Sequence, residues 1–217
     1  MKKVAVILSG SGVFDGTEIH EAVLTLLAIR QHGGQFQCFA PDKSQLHVVN
    51  HLTGEEVVGE SRNVLVESAR IARGEVKPVT ECKEEDFDAI ILPGGFGAAK
   101  NLCTFATKGA DCSVDEDVMA VCKAFAEAGK PAGYACIAPA LAAAIYGNNV
   151  KLTIGDDEAT AAGINKLGAQ HVNCQVDDIV VDTEAKLVTT PAYMLAQDIL
   201  EAHAGLNKMV QTVLGMQ

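Results

Sequence analysis

Three short runs, residues 4–8, 89–92 and 132–136, are free of charged residues, and each ends in a sharp change of character: Ser9-Gly10, Pro93-Gly94-Gly95, and Cys136 followed by Ile137-Ala138-Pro139. Uninterrupted apolar runs of this length suit strands buried on both faces, and helical stretches lie between them. This alternation restricts the chain to an α/β fold with a mainly parallel sheet covered by helices on both sides.

The spacing of Ile19, Ala22, Val23, Leu26, Leu27 and Ile29 predicts a helix over 18–32, stopped by Gly33-Gly34 and followed by a strand at 36–39. Residues 41–59 read as a loop with short strand pieces, and Ser61 is placed to cap a helix carrying Val64, Leu65, Ala69 and Ile71. Further on, the pattern predicts a helix through Val118, Val121, Cys122, Phe125 and Ala126, and a second helix after Cys136. Short strands are expected at 152–154, Val172, 179–181 and 187–189, a helix at 158–167, and closing helices over 195–214. No repeat, low-complexity tract or linker interrupts the 217 residues, so one domain spanning 1–217 is expected.

A net charge of −11 leaves no basic excess for a phosphate backbone or an anionic membrane surface, so neither nucleic acid nor membrane is expected as a partner. No apolar run approaches the roughly 20 residues of a membrane span, and 4–8 is too short for a signal-peptide core. The seven cysteines are odd in number and contain no Cys-x-x-Cys pair, which argues against a disulfide framework or a zinc knuckle. A reducing cytoplasm is the expected setting.

Among these cysteines Cys136 stands apart. A buried strand that turns sharply into a helix lifts a side chain out of the backbone with a helix N-terminus behind it, and Ala135 and Ala138 keep the turn uncrowded. A thiol so placed is expected to be poised as a thiolate. The Pro93-Gly94-Gly95 turn, also at a strand end, offers successive N–H groups for an anion hole, with the Ile137 N–H as a second donor. In open α/β sheets, ligands bind beyond the carboxyl ends of strands, so Gly10–Gly12, Gly94-Gly95 and Cys136 are expected around one crevice.

Gly10-Ser11-Gly12 does not complete a dinucleotide fingerprint, because the third glycine, Gly16, comes one residue late and no acidic residue ends the second strand. Glu18 and Glu21 open the first helix three residues apart and so share a side, where one of them can act as a general acid/base beside Cys136. His20 with these glutamates lacks further ligands, so no metal is expected, and no cofactor. The other histidines form no evident triad.

Lys130-Pro131 through Cys136-Ile137-Ala138-Pro139, together with Leu92-Pro93-Gly94-Gly95, resembles the strand-elbow and strand-turn pattern of the ThiJ/PfpI superfamily. The stretch from Ser9-Gly10-Ser11-Gly12 to His20-Glu21 is similar to the opening of its ElbB family, the isoprenoid biosynthesis-associated glyoxalases. Asn50-His51-Leu52-Thr53-Gly54-Glu55 and Thr189-Thr190-Pro191-Ala192-Tyr193-Met194 support the same likeness. It implies a flavodoxin-like three-layer sandwich of the class I glutamine amidotransferase-like type, usually a homodimer, with a reactive cysteine near a glutamate. By position the nucleophile is Cys136 and the carboxylate Glu21, with Glu18 the fallback. Gly94, Gly95 and Ile137 fall at the oxyanion, and Gly12 and Glu18 beside the substrate.

The sequence departs from the superfamily in two ways. Ile137 stands where many relatives carry histidine, and no downstream His-x-Glu pair occurs. Proteolysis and glutamine hydrolysis are therefore not expected. What the resemblance leaves is a glutathione-independent glyoxalase that converts glyoxal or methylglyoxal, a small carbonyl substrate, to the 2-hydroxy acid. The alternative is a non-enzymatic oxidative-stress sensor or chaperone-like protein using the same cysteine.

Overall fold

The computed structural model describes residues 1–216. In chain order, β1 (Lys3–Ile7) leads through a glycine-rich loop to α1 (Ile19–Gln31) and back to β2 (Gln35–Ala40). An excursion follows that holds the two-residue strands β3 (Val49–Asn50) and β4 (Glu55–Glu56), then α2 (Val64–Ile71) and β5 (Val76–Pro78). β6 (Ala89–Leu92) runs through a π-turn at Ala98–Leu102 and the short α3 (Phe105–Lys108) to α4 (Glu116–Glu127). β7 (Ala132–Ala135) enters α5 (Pro139–Tyr146), and β8 (Lys151–Leu152), α6 (Glu158–Lys166) and β9 (Gln170–His171) form a small side unit. β10 (Val180–Asp182), β11 (Leu187–Thr190) and α7 (Ile199–Gly215) close the chain.

Seven strands form one sheet in the order β10-β11-β7-β6-β1-β2-β5. All neighbours are parallel except the edge pair β10–β11. The strand alternation sorts side chains onto two faces. Ala5, Ile7, Ile90, Leu92, Ala132, Tyr134 and Leu187 face α4 and α5, packing with Val118, Cys122, Phe125 and Leu141. Val4, Val6, Ala89, Ile91, Ala135 and Val188 face α1 and α7, packing with Ala22, Ile29, Leu206 and Met209. The chain leaves β1 towards β2 on one side and returns to β6 on the other, so the switch point lies between β1 and β6. A crevice at the carboxyl ends of these strands follows from the topology.

The structure departs from the sequence expectations at four places. Asn63, not Ser61, caps α2, its side-chain oxygen accepting the Val66 N–H at 3.0 Å. Val172 lies just beyond β9, which pairs with β8 outside the main sheet. β5 was not foreseen, because a three-residue, partly exposed edge strand ending in proline carries neither alternation nor an apolar run. The third apolar run ends one residue early: β7 stops at Ala135.

Candidate functional site

Cys136 stops β7 by adopting φ +58, the left-handed region that a non-glycine residue occupies at a cost of about 1–2 kcal/mol. Its own N–H still donates to the Thr190 carbonyl of β11 at 3.0 Å, and Ala138 N–H turns back to Ala135 at 2.9 Å. Pro139 then opens α5, where its missing N–H costs nothing. The strand-to-helix elbow therefore forces the Cys136 side chain across towards the neighbouring β6 turn.

At that turn Gly94 has no room for a side chain. A methyl group there would sit 2.3 Å from Cys136 Cβ, 2.9 Å from Cys136 Sγ and 2.7 Å from Glu21 Oε2. The thiol and the carboxylate thus converge on the same small space. Gly95 takes φ +94 and would clash with Gly16 and Glu18 if it carried a Cβ. The turn is stitched to the start of α1: Glu18 N–H donates to Gly94 O at 3.0 Å, and the Glu18 carboxylate caps the helix by accepting Glu21 N–H at 2.6 Å.

Glu21 is fully buried and its two carboxyl oxygens are spoken for by different elements. Oε2 accepts Gly94 N–H at 2.8 Å and Oε1 accepts Tyr193 N–H at 3.1 Å, and the Cys136 thiol lies beside the carboxyl. Burial outweighs these hydrogen bonds, the Glu18 charge adds to it, and together they push the Glu21 carboxyl up to about 7. Cys136 is also pushed well above the usual thiol range, first by burial and then by the Glu21 charge; the N–H groups of Gly95 and Ile137 act in the opposite direction. Burial and the Glu21 charge thus work against the resting thiolate expected from the elbow, and the carboxylate beside it, titrating near neutrality, is the group placed to take the thiol proton.

A cleft of about 310 Å³ opens over Cys136, lined by Val13, Glu18, Gly95, Phe96, Ile137, Thr160, Tyr193 and Met194. No lysine, arginine or histidine lines it. His20 turns outward, its Nδ1 lying 2.8 Å from the Tyr193 hydroxyl. Among the described residues no group of three or more His, Cys, Asp or Glu is arranged to hold a metal ion, and no helix is long and apolar enough to cross a membrane.

Of the residues singled out from the sequence, the fold brings together Cys136, Glu21, Glu18, Gly94, Gly95 and Ile137. Gly94, however, gives its N–H to Glu21 and has none left for an oxyanion. Gly12 lies outside the cleft lining; with φ +136 it packs against His51 and Asp15. Those two brace the loop, with Phe14 N–H donating to His51 Nε2 at 3.2 Å and Val49 N–H to Asp15 Oδ2 at 2.7 Å. Sequence reasoning missed Tyr193, Phe96, Met194 and Val13. Tyr193 had a signal: it follows β11, whose carboxyl end lies on the same sheet edge as that of β7.

No protein-family model matches the chain. It is 47% identical, over 221 residues, to the human protein named glutamine amidotransferase-like class 1 domain-containing protein 3, mitochondrial, covering 98% of this chain and 82% of that one. The ES1 protein homolog of rat and the ES1 protein of zebrafish, 46% and 34% identical, cover 98% of this chain and are matched over 83% and 85% of their own lengths. A crystal structure of an isoprenoid biosynthesis protein with amidotransferase-like domain from Ehrlichia chaffeensis superimposes with a TM-score of 0.93 at 38% identity, covering 100% of this chain and 99% of that one. DJ-1/ThiJ/PfpI-like structures share the fold at TM-scores of 0.61 and below with identities of 21% or less. The expected cytoplasmic location is overturned by the human, rat and zebrafish relatives, all named mitochondrial. Free thiols and a negative charge describe a reducing aqueous setting and cannot tell one such compartment from another.

Proposed function

From the premise that this chain belongs to the ES1 family of glutamine amidotransferase-like class 1 domain proteins, we propose that it is a glutathione-independent glyoxalase of the ElbB type. The observation that carries the reading is the Glu21 carboxyl, titrating near 7 in contact with the Cys136 thiol, under N–H groups of Gly95 and Ile137. The name of the Ehrlichia chaffeensis structure supports the ElbB likeness.

In this mechanism the Glu21 carboxylate accepts the thiol proton as Cys136 Sγ adds to the aldehyde carbon of a 2-oxoaldehyde, and the proton passes to the new hemithioacetal oxygen. The Gly95 and Ile137 N–H groups, which lie beside the sulfur, stabilise the charge on that oxygen while it forms. Glu21 then removes the hydrogen from the former aldehyde carbon and returns a proton to the neighbouring carbon through an enediol. The aldehyde carbon is thereby oxidised to a thioester as the ketone is reduced to an alcohol, with no external oxidant. Water cleaves the thioester, releasing the 2-hydroxy acid and regenerating the thiol.

Glutamine hydrolysis fits the site poorly, since the cleft offers no histidine base and no cation for the carboxylate of glutamine. An oxidation sensor is also less well supported, because Cys136 is 8% exposed and burial works against its thiolate, whereas oxidants attack exposed thiolates. The test is turnover of methylglyoxal to lactate by the purified protein. Loss of product formation in both Cys136→Ala and Glu21→Gln is expected, and turnover retained by either variant would remove that residue from the mechanism.

A further inference from the structure

The cleft is larger and more apolar than methylglyoxal requires. Its volume of about 310 Å³ reaches the range of sites that enclose drug-sized ligands, roughly 300–1,000 Å³, yet methylglyoxal carries only a methyl substituent. The wall beyond Cys136 is built from Val13, Phe96, Ile137 and Met194. Phe96 is 48% exposed and turns part of its ring to this cleft together with Val13, Ile137 and Met194, a contiguous apolar surface. It is nevertheless held in place: its N–H donates to Val13 O at 2.8 Å, and the Lys100 ammonium lies 5.4 Å from its ring centroid.

The polar side of the cleft is equally selective. Glu18 and, behind it, Glu21 are its carboxylates, and no basic side chain lines it. A substrate bearing a carboxylate or phosphate would be desolvated against like charge with no lining cation to pair with, the nearby Lys100 ammonium being engaged by the Phe14 carbonyl. A neutral substrate with an apolar arm meets neither penalty.

Resting on the glyoxalase reading above, we propose that the preferred substrates are neutral 2-oxoaldehydes with a bulky apolar substituent, aryl or branched alkyl. The substituent packs between Phe96 and Met194 while the aldehyde carbon faces Cys136 Sγ. Phenylglyoxal represents the class. Addition of one water converts it to mandelate by the same internal transfer, oxidising the aldehyde carbon and reducing the ketone.

The experiment compares kcat/KM for phenylglyoxal, methylglyoxal and 4-carboxyphenylglyoxal, the last being an anionic 2-oxoaldehyde, in the wild-type protein and in Phe96→Ala. Phenylglyoxal is expected to exceed methylglyoxal by at least about tenfold, since each methylene-sized apolar contact in such a pocket is worth about that much. Phe96→Ala should shrink the ratio of phenylglyoxal to methylglyoxal by a similar factor, and 4-carboxyphenylglyoxal should be turned over at least about tenfold less well than phenylglyoxal. A phenylglyoxal-to-methylglyoxal ratio of one or less, or a ratio indifferent to Phe96→Ala, would overturn the proposal. A separate arm measures protection of Cys136 from iodoacetamide by phenylacetaldehyde and by acetaldehyde in both proteins, so that intrinsic aldehyde reactivity cancels. If no 2-oxoaldehyde is turned over, the glyoxalase reading fails. In that event the apolar subsite stands only if Phe96→Ala weakens protection by phenylacetaldehyde more than by acetaldehyde, and falls otherwise.

Discussion

Cys122 and Cys136 are both buried thiols beside a buried oxygen acid, packed on opposite faces of the same sheet, and they differ in almost everything that decides reactivity. Cys122 sits in α4 against the Tyr134 hydroxyl, with Tyr146 edge-on to Tyr134 at 6.3 Å. Neither tyrosine hydroxyl completes a well-formed hydrogen bond, and burial pushes the Cys122 thiol up to about 12. It is a core residue with a weak polar neighbour. Cys136, one elbow away, lies under N–H donors, faces a cleft and touches a carboxyl that titrates near neutrality. Burial raises both thiols, so burial alone is not what makes a site. The difference lies in having a proton acceptor of matched pKa and room for a second molecule.

The sharpest way to break this comparison is to delete each sulfur. Cys136→Ala is expected to abolish methylglyoxal turnover, a loss of at least about a thousandfold, whereas Cys122→Ala should leave kcat/KM near the wild-type value. Steady-state kinetics decides it, and equal losses in the two variants would erase the distinction. Next in size, Glu21→Gln should lower kcat/KM by roughly 10²–10⁴-fold, the usual worth of a general base. Because Glu21 must be ionised to accept a proton, the wild-type kcat/KM should climb with pH and pass half-height near 7. A profile flat from pH 5.5 to 8.5 would contradict that role.

Stability should carry the same signature. The carboxyl of Glu21 binds its proton more tightly in the folded protein than in the unfolded chain, where it titrates near 4.5. The folded state therefore has its full advantage below pH 4.5 and loses it as the pH rises through 7. This contribution, on the order of 3 kcal/mol, is absent from Glu21→Gln. Denaturant titrations of both proteins at pH 4.5 and 8 would read it, and parallel pH slopes would show that burial does not hold the carboxyl protonated. The smallest effect is expected on the other face. Tyr134→Phe removes a hydroxyl that makes no good hydrogen bond and should change unfolding free energy by less than about 1 kcal/mol. A larger loss would mean that the hydroxyl, and with it Cys122, has a bonding role.

The sequence made the strands readable because β6, β7 and β1 beyond Lys3 are buried on both faces and so carry no charged residue to blur them. It made Cys136 readable for the same reason: a thiol at the end of such a run, before Ile-Ala-Pro, has few structural explanations. What could not be read was the state of its proton. That depends on how thoroughly Glu21 is enclosed, which in turn depends on Tyr193, distant in the chain and carrying no catalytic signature of its own. The loop containing Gly12 misled for a related reason. A glycine-rich turn after β1 has the same composition whether it cradles a ligand or, as here, makes room for His51 and Asp15.

The carboxyl of Glu21 joins chain segments 73 and 172 residues away, through Gly94 and Tyr193. Contacts of such long range form late, once loop closure has been overcome. A newly made chain therefore carries both Cys136 and Glu21 before Gly94 and Tyr193 hold the carboxyl in place beside the sulfur. During synthesis and folding the sulfur is an ordinary thiol, and its chemistry switches on only when the last segment docks. Turnover here is a certificate of completed folding, since a truncated or misfolded copy would hold the cysteine without the carboxyl and the cleft beside it.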